Sequence, residues 1–235
     1  MLPTVLQDTP AKIDSVYDLV LDGGPLMWPL AACSILAVAY IVERSVRLRE
    51  AELGSRRYAR SILDALTSDG PAAALRVCEA EPRPLGRVLG AGLARAGSPV
   101  LEREKAVEDA GAREVKRLAS NLKPLVVIAM IAPLLGLLGT VLGMIEAFFE
   151  VAVRGGLGKP EQLAGGIGQA LVTTAAGLSI AIPVQAAYYW LRGRIDRFVR
   201  RSEDAYVELA ETLGGAVPTP AAAGEVLGLP AGGPA

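Results

Sequence analysis

Residues 125–149, LVVIAMIAPLLGLLGTVLGMIEAFF, stay apolar for the width of a bilayer and carry a line of small residues along one side. A helix rises about 1.5 Å per residue, so this stretch reaches about 37 Å, enough to cross a hydrocarbon core with some tilt. At roughly 100° per residue, Gly136, Gly139, Thr140 and Gly143 fall on one narrow face. Small side chains let a second backbone approach closely, and Gly139-x-x-x-Gly143 is the minimal form of that device. The stripe is either a helix–helix seam or the wall of a narrow pore, with one hydroxyl in it.

Two further apolar runs flank it. The first, Leu26 to Val42, is near the short end for a span, and Pro25 and Pro29 suit its beginning, where a missing N–H costs little. The third, Leu163 to Leu191, contains no formal charge and ends in Tyr188, Tyr189 and Trp190, an interfacial aromatic belt. The chain is 51% hydrophobic yet 21% charged, so the charges are segregated from these runs. Basic residues gather after the first run (Arg44, Arg47, Arg49), before the second (Lys116, Arg117, Lys123) and after the third (Arg192, Arg194, Arg197). By the positive-inside rule the N-terminus is outside and the C-terminus inside, in a multi-pass membrane protein. The first 25 residues hold four Asp against Lys12, the reverse of a cleavable signal peptide.

The expected fold is all-α: three transmembrane helices, with the second and third extended into a cytoplasmic helical bundle. Its parts are a periplasmic segment (1–25), span one (26–42), a cytoplasmic helical region (43–123) and span two (124–150). A periplasmic loop (151–162), span three (163–191), a cytoplasmic helix (192–213) and a disordered tail (214–235) complete it. Within the cytoplasmic region, helical periodicity from Arg56 to Glu79 breaks at Gly70-Pro71, and EPRPLG (81–86) marks a turn. From Val100 the sequence predicts one rod running into span two, bent near Pro124 and Pro133. After span three, Ile195, Phe198, Val199, Tyr206 and Leu209 form an apolar face.

Several chemistries are excluded. The chain has no histidine, which removes the commonest metal ligand and the usual general base. Cys33 and Cys78 show neither metal spacing nor a pairing partner, and no phosphate loop or nucleophile elbow is present. We expect no enzyme activity, no cofactor and no metal. Net charge is −1, which gives no sign of nucleic-acid binding; the implied surroundings are membrane lipid and other helices.

In span three, Ala170, Thr174, Gly177 and Ala181 share a face, with Gln169 and Thr173 on an adjacent one. Counting from the outer ends sets Thr140 and Thr174 at matching depth, about 15 Å below the surface. Two hydroxyls at one depth suggest a polar path, with Gln169 and Thr173 beside it. Threonine also bonds back to its own helix, so simple packing is the alternative. No Asp, Glu, Lys or Arg lies in the middle of any span, and Glu146 near the outer end of span two is read as an interfacial carboxylate. Hydroxyls and amides order water but do not titrate near neutral pH. A proton path here needs a titrating group from a partner.

PLLGLLGTVLGMIEAF (133–148) and AGGIGQALVTTAAGLSIAIP (164–183) resemble the second- and third-span motifs of the ExbB/TolQ/MotA proton-channel subunits, ExbB and TolQ above all. The resemblance implies a homopentamer around a dimer of an ExbD/TolR-type partner, whose single span brings a proton-accepting Asp. It implies a motor driven by the proton motive force, with Thr140 and Thr174 facing the pore. One departure stands out: the family usually has Glu where this chain has Gln169. That substitution leaves open a second reading, a membrane scaffold that conducts nothing. The envelope process driven, and whether H+ or Na+ couples it, are not written in these motifs.

Overall fold

A computed structural model of the chain describes residues 24–153 and 160–214. Among the described residues every regular element is helical: α1 (Met27–Arg47), α2 (Glu50–Leu53), α3 (Arg56–Asp69), α4 (Pro71–Ala80), α5 (Pro84–Leu93), α6 (Val100–Ser120), α7 (Lys123–Val153) and α8 (Pro160–Thr212). Three helical stretches are long and apolar enough to cross a membrane, and they fall in α1, α7 and α8. The fold is therefore an all-α membrane protein. Residues 1–23, 154–159 and 215–235, which hold most of the expected N-terminal segment and tail, lie outside the described residues; the expected loop at 151–162 is shorter, since 151–153 belong to α7 and 160–162 to α8.

The chain divides into two compact units. The first takes the described part of Met1–Ala39 together with Leu125–Gln185. Its helices persist because their backbone groups are paired within the helix, the one economical arrangement in lipid. Pro124 sits in the first turn of α7, where its missing N–H is no loss. Pro133 and Pro183 lie inside α7 and α8 without ending them. The buried cluster of this unit is small: Met27 and Leu30 of α1, Ala132 of α7 and Ala181 of α8, with Leu135, Ala176 and Ile180 against it. The other side of α1 is uncovered, with Trp28 73% and Ile35 71% exposed.

The second unit, Tyr40–Pro124 with the described part of Ala186–Ala235, is built like a water-soluble domain. Ser55 caps α3 by accepting the Tyr58 N–H at 3.2 Å. Gly70, at φ +82°, joins α3 to α4 in a conformation other residues resist, and Pro71 starts the next helix. Ile62, Leu85, Val88 and Leu89 are buried with Leu191, Ile195 and Leu209 of α8. Each such side chain contributes about 1.5–3 kcal/mol by leaving water. Phe198, Val199 and Tyr206 are buried too, which completes the apolar face expected after span three.

Polar bonds then fix the helices. Arg87 donates from Nε and Nη2 to both carboxylate oxygens of Glu114, at 2.7 and 2.8 Å, tying α5 to α6. That hydrogen bond holds the Arg87 guanidinium above its ordinary pKa. The Tyr58 hydroxyl donates to the Glu81 carbonyl at 2.7 Å, beside Gly86, where a Cβ would collide with it. Arg194 donates to the Ser45 carbonyl at 2.7 Å and lies 4.0 Å over the Trp190 ring.

Two sequence expectations need correction. The rod from Val100 into span two is interrupted at Asn121–Leu122, where the backbone makes a turn ahead of Pro124. The turn at 81–86 is shorter than expected, since Pro84 opens α5 and carries Leu85 and Gly86 into the helix. Pro at the first position supplies the helical φ in advance and needs no N–H partner.

Candidate functional site

The seam between α7 and α8 is where the sequence-predicted site residues meet. On α7 the inward line is Ala132, Gly136, Gly139, Gly143 and Ala147, at steps of three and four residues. On α8 it is Gly166, Ala170, Thr173, Gly177 and Ala181, at the same steps. Antiparallel stacking brings the two lines together. A Cβ placed on Gly177 would come 2.6 Å from the Ala132 carbonyl oxygen, and one on Gly136 would come 3.0 Å from the Thr174 Cα. At Gly143 it would meet the Ala170 Cβ at 2.9 Å, and at Gly166 the Ala147 Cβ at 2.9 Å. The seam is backbone against backbone, and the glycines are what allow it.

The threonines take three different roles. Thr174 donates from Oγ1 to the Gly136 carbonyl at 2.7 Å, a side-chain hydrogen bond across the seam. Thr140, partly exposed beside the seam, donates to Leu137 of its own helix at 2.7 Å. Thr173 is 1% exposed; its hydroxyl reaches the Gln169 carbonyl at 3.1 Å, and its Cγ2 would lie 2.5 Å from a Cβ on Gly139. The face count is corrected here: Thr173 is the residue on the buried line, and Thr174 stands half-buried at its edge. Gly139 decides this, because its missing side chain makes the room that Thr173 fills.

Gly136, Gly139, Ala170, Gly177 and Ala181 are buried, and Gly143 is half-buried. Gly165-Gly166-x-Gly168 near the start of span three reads in the sequence as a close-packing cluster; of its glycines only Gly166 packs, while Gly165 and Gly168 face open space. Gln169 is exposed, with its Nε2 within 2.9 Å of where Gly24 would carry a Cβ. Ala132 and Ala147 escaped the sequence reading. The three- and four-residue steps, continued past the glycines, would have found them.

Beyond the seam much of the unit is uncovered. Leu171 is 61% exposed and Ile182 is 68% exposed, and most large apolar residues of α7 are similarly bare. Such faces suit lipid or other membrane helices. Among the described residues no group of three or more His, Cys, Asp or Glu could hold a metal ion.

Residues 80–204, more than half of the chain, match the model of the MotA/TolQ/ExbB proton channel family. A biopolymer transport protein of Synechocystis, ExbB-like 1, is 38% identical over 183 residues, covering 77% of this chain and 70% of the relative. The biopolymer transport protein exbB1 of Vibrio cholerae is 35% identical over 205 residues, 84% of this chain and 89% of the relative. With three apolar helices and this likeness on both sides of the α7–α8 seam, the chain belongs to the MotA/TolQ/ExbB proton channel family, as a multi-pass inner-membrane channel subunit of the ExbB/TolQ type.

Proposed function

We propose that this chain is the pore-forming subunit of a motor that spends the proton motive force on work in the cell envelope. Five copies surround a dimer of an ExbD/TolR-type single-span partner, and Thr140 and Thr174 border the ion path. The N-terminus is periplasmic and the C-terminus cytoplasmic, as the basic flanks indicate. The chain performs no covalent chemistry of its own.

The observation that carries the reading is the Thr174 hydroxyl, hydrogen-bonded to the Gly136 carbonyl at 2.7 Å inside a pair of helices whose middles hold no ionisable side chain. A hydroxyl there orders water or hands on a hydrogen bond, but it cannot store a proton. The titrating group therefore belongs to the partner. A non-conducting scaffold is the second reading, and Gln169 favours it, since an amide cannot take the place of a carboxylate in a relay.

Valine substitution separates the two. Thr174→Val and Thr140→Val keep the branched shape and remove the hydroxyl. An interhelical hydrogen bond in a membrane is worth about 0.6 kcal/mol, so assembly survives. Output of the driven system, measured with oligomer yield in parallel, falls strongly in both. Thr173→Val, whose methyl packing on Gly139 is retained, is milder. Normal output from both Thr140→Val and Thr174→Val would leave the scaffold reading standing. In liposomes, the chain without its partner passes protons poorly.

A further inference from the structure

Just past the ends of spans one and three, the second unit holds an open pocket of about 350 Å³ lined by Arg49, Arg194, Arg197 and Arg201 with Leu48 and Leu53. Both leucines are buried, so the arginines gather on a packed part of the unit and not on a loose end. Arg194, Arg197 and Arg201 follow at steps of three and four along α8, which puts them on one face. Arg49 joins them from the turn between α1 and α2, where its N–H donates to the Val46 carbonyl at 3.1 Å. Arg194 is already oriented by its bond to the Ser45 carbonyl and its place over the Trp190 ring. Its guanidinium has five N–H donors, so others remain for a ligand. Burial, with Arg197 and Arg49 close by, pulls its pKa below the ordinary value. Two nearby carboxylates are engaged by other arginines, Glu43 by Arg44 and Arg47 and Asp196 by Arg192, and Arg201 has an interaction of its own. Arg194 and Arg197 come three and six residues after Leu191, about 5 and 9 Å along the helix. Next to the aromatic belt at Trp190, that is the depth of lipid headgroups.

We propose that this pocket binds a phosphoryl group, that of an anionic lipid in the adjacent leaflet, between Arg49, Arg194 and Arg197. Like charges gathered at close quarters repel one another, and an anion set among them turns the repulsion into attraction. Guanidinium suits this ligand because its planar fork meets two phosphate oxygens at once. A basic recess at the end of a span is also where anionic headgroups concentrate. The bound headgroup ties the turn after α1 to α8, beside the bond that Arg194 already makes to Ser45. The site lies apart from the α7–α8 seam, so it stands or falls separately from the motor reading.

The test is native mass spectrometry of the purified full chain, titrated with phosphatidylglycerol or phosphatidylcholine, with inorganic phosphate binding measured beside it by titration calorimetry. Wild type should retain phosphatidylglycerol in clear preference to phosphatidylcholine. Arg49→Gln together with Arg197→Gln, both at exposed positions, should weaken that retention by about thirtyfold, each guanidinium near an anionic lipid contributing about fivefold. Arg57→Gln together with Arg95→Gln removes the same charge at exposed positions outside the pocket and should leave retention nearly unchanged. Inorganic phosphate separates the two sources of the anion. Phosphate binding that the Arg49 and Arg197 substitutions abolish, with no preference for phosphatidylglycerol, would keep the phosphoryl site and overturn its lipid ligand. Equal retention of both lipids by wild type, with no phosphate bound, would overturn the proposal without recourse to any variant. An equal loss in the two double variants would overturn it as well, since general charge would then explain the binding.

Discussion

The two units of this protein are held together by opposite means. In the first, glycine and alanine bring helix backbones into contact, and most of the large side chains point away, into what surrounds the molecule. In the second, Ile62, Leu89, Ile195 and Leu209 are driven inward and arginine–carboxylate bonds fasten the outside. The difference follows from solvent. In water, burying leucine is favourable because apolar surface leaves water. In lipid the tails are as apolar as leucine, so close approach and hydrogen bonds are what remain to favour association. Adding atoms to the first unit should therefore harm it, and removing atoms should harm the second.

The largest effect is expected from Gly177→Leu. Its Cβ alone would press on the Ala132 carbonyl at 2.6 Å, and a backbone atom cannot swing aside. Overpacking of this kind costs about 3 kcal/mol or more, so oligomers should fail to accumulate, as size-exclusion chromatography in detergent would show. Normal yield would break the comparison. In the second unit Leu89→Ala, at a fully buried position, should lower stability by about 3 kcal/mol in denaturant titration of the full chain. Arg87→Met comes next: it leaves Glu114, 8% exposed, without its bidentate partner, at a loss of about 2 kcal/mol.

Tyr58→Phe is the smallest, about 1 kcal/mol for the lost bond to the Glu81 carbonyl. It also carries a pH signature. Burial pushes the Tyr58 phenol up to about 12 from an ordinary 10. The unfolded chain then loses this proton first, so the stability it contributes is complete below pH 10 and lost as pH rises through about 12. The phenylalanine variant should lack that part of the alkaline fall. An unchanged alkaline limb would mean that Tyr58 is not the group concerned.

The spans were legible because length and hydropathy alone define them, and the glycine stripe because its spacing matches a helix face. Gly70-Pro71 announced its break for the same local reasons. Which threonine fills the seam was not legible. A count of 100° per residue orients side chains about their own axis, whereas Thr173 is buried because Gly139 on another helix leaves it room. The turn at Asn121–Leu122 lies just ahead of Pro124, where the sequence predicts a bend; that the helix breaks there, and does not merely bend, only the structure reveals. Glu146 was visible as a carboxylate near the end of a span. That it shares a cavity with Gln169 depends on how α7 and α8 align, and no single helix contains that information.

The connectivity also sets an order of events during synthesis. Each unit is made of two stretches of chain, and both take their last helix from one element, the 53-residue α8. A ribosome that has finished α7 has produced the small-residue line of Ala132, Gly136 and Gly139, yet not the α8 backbone that lies against it. Until α8 emerges, Gly136 and Gly139 lack Thr174 and Thr173, and the second unit lacks the buried Leu191, Ile195 and Leu209. Neither unit is whole until the last helix arrives, so a chain cut short after Val153 should be cleared by proteolysis and leave no half-working subunit behind.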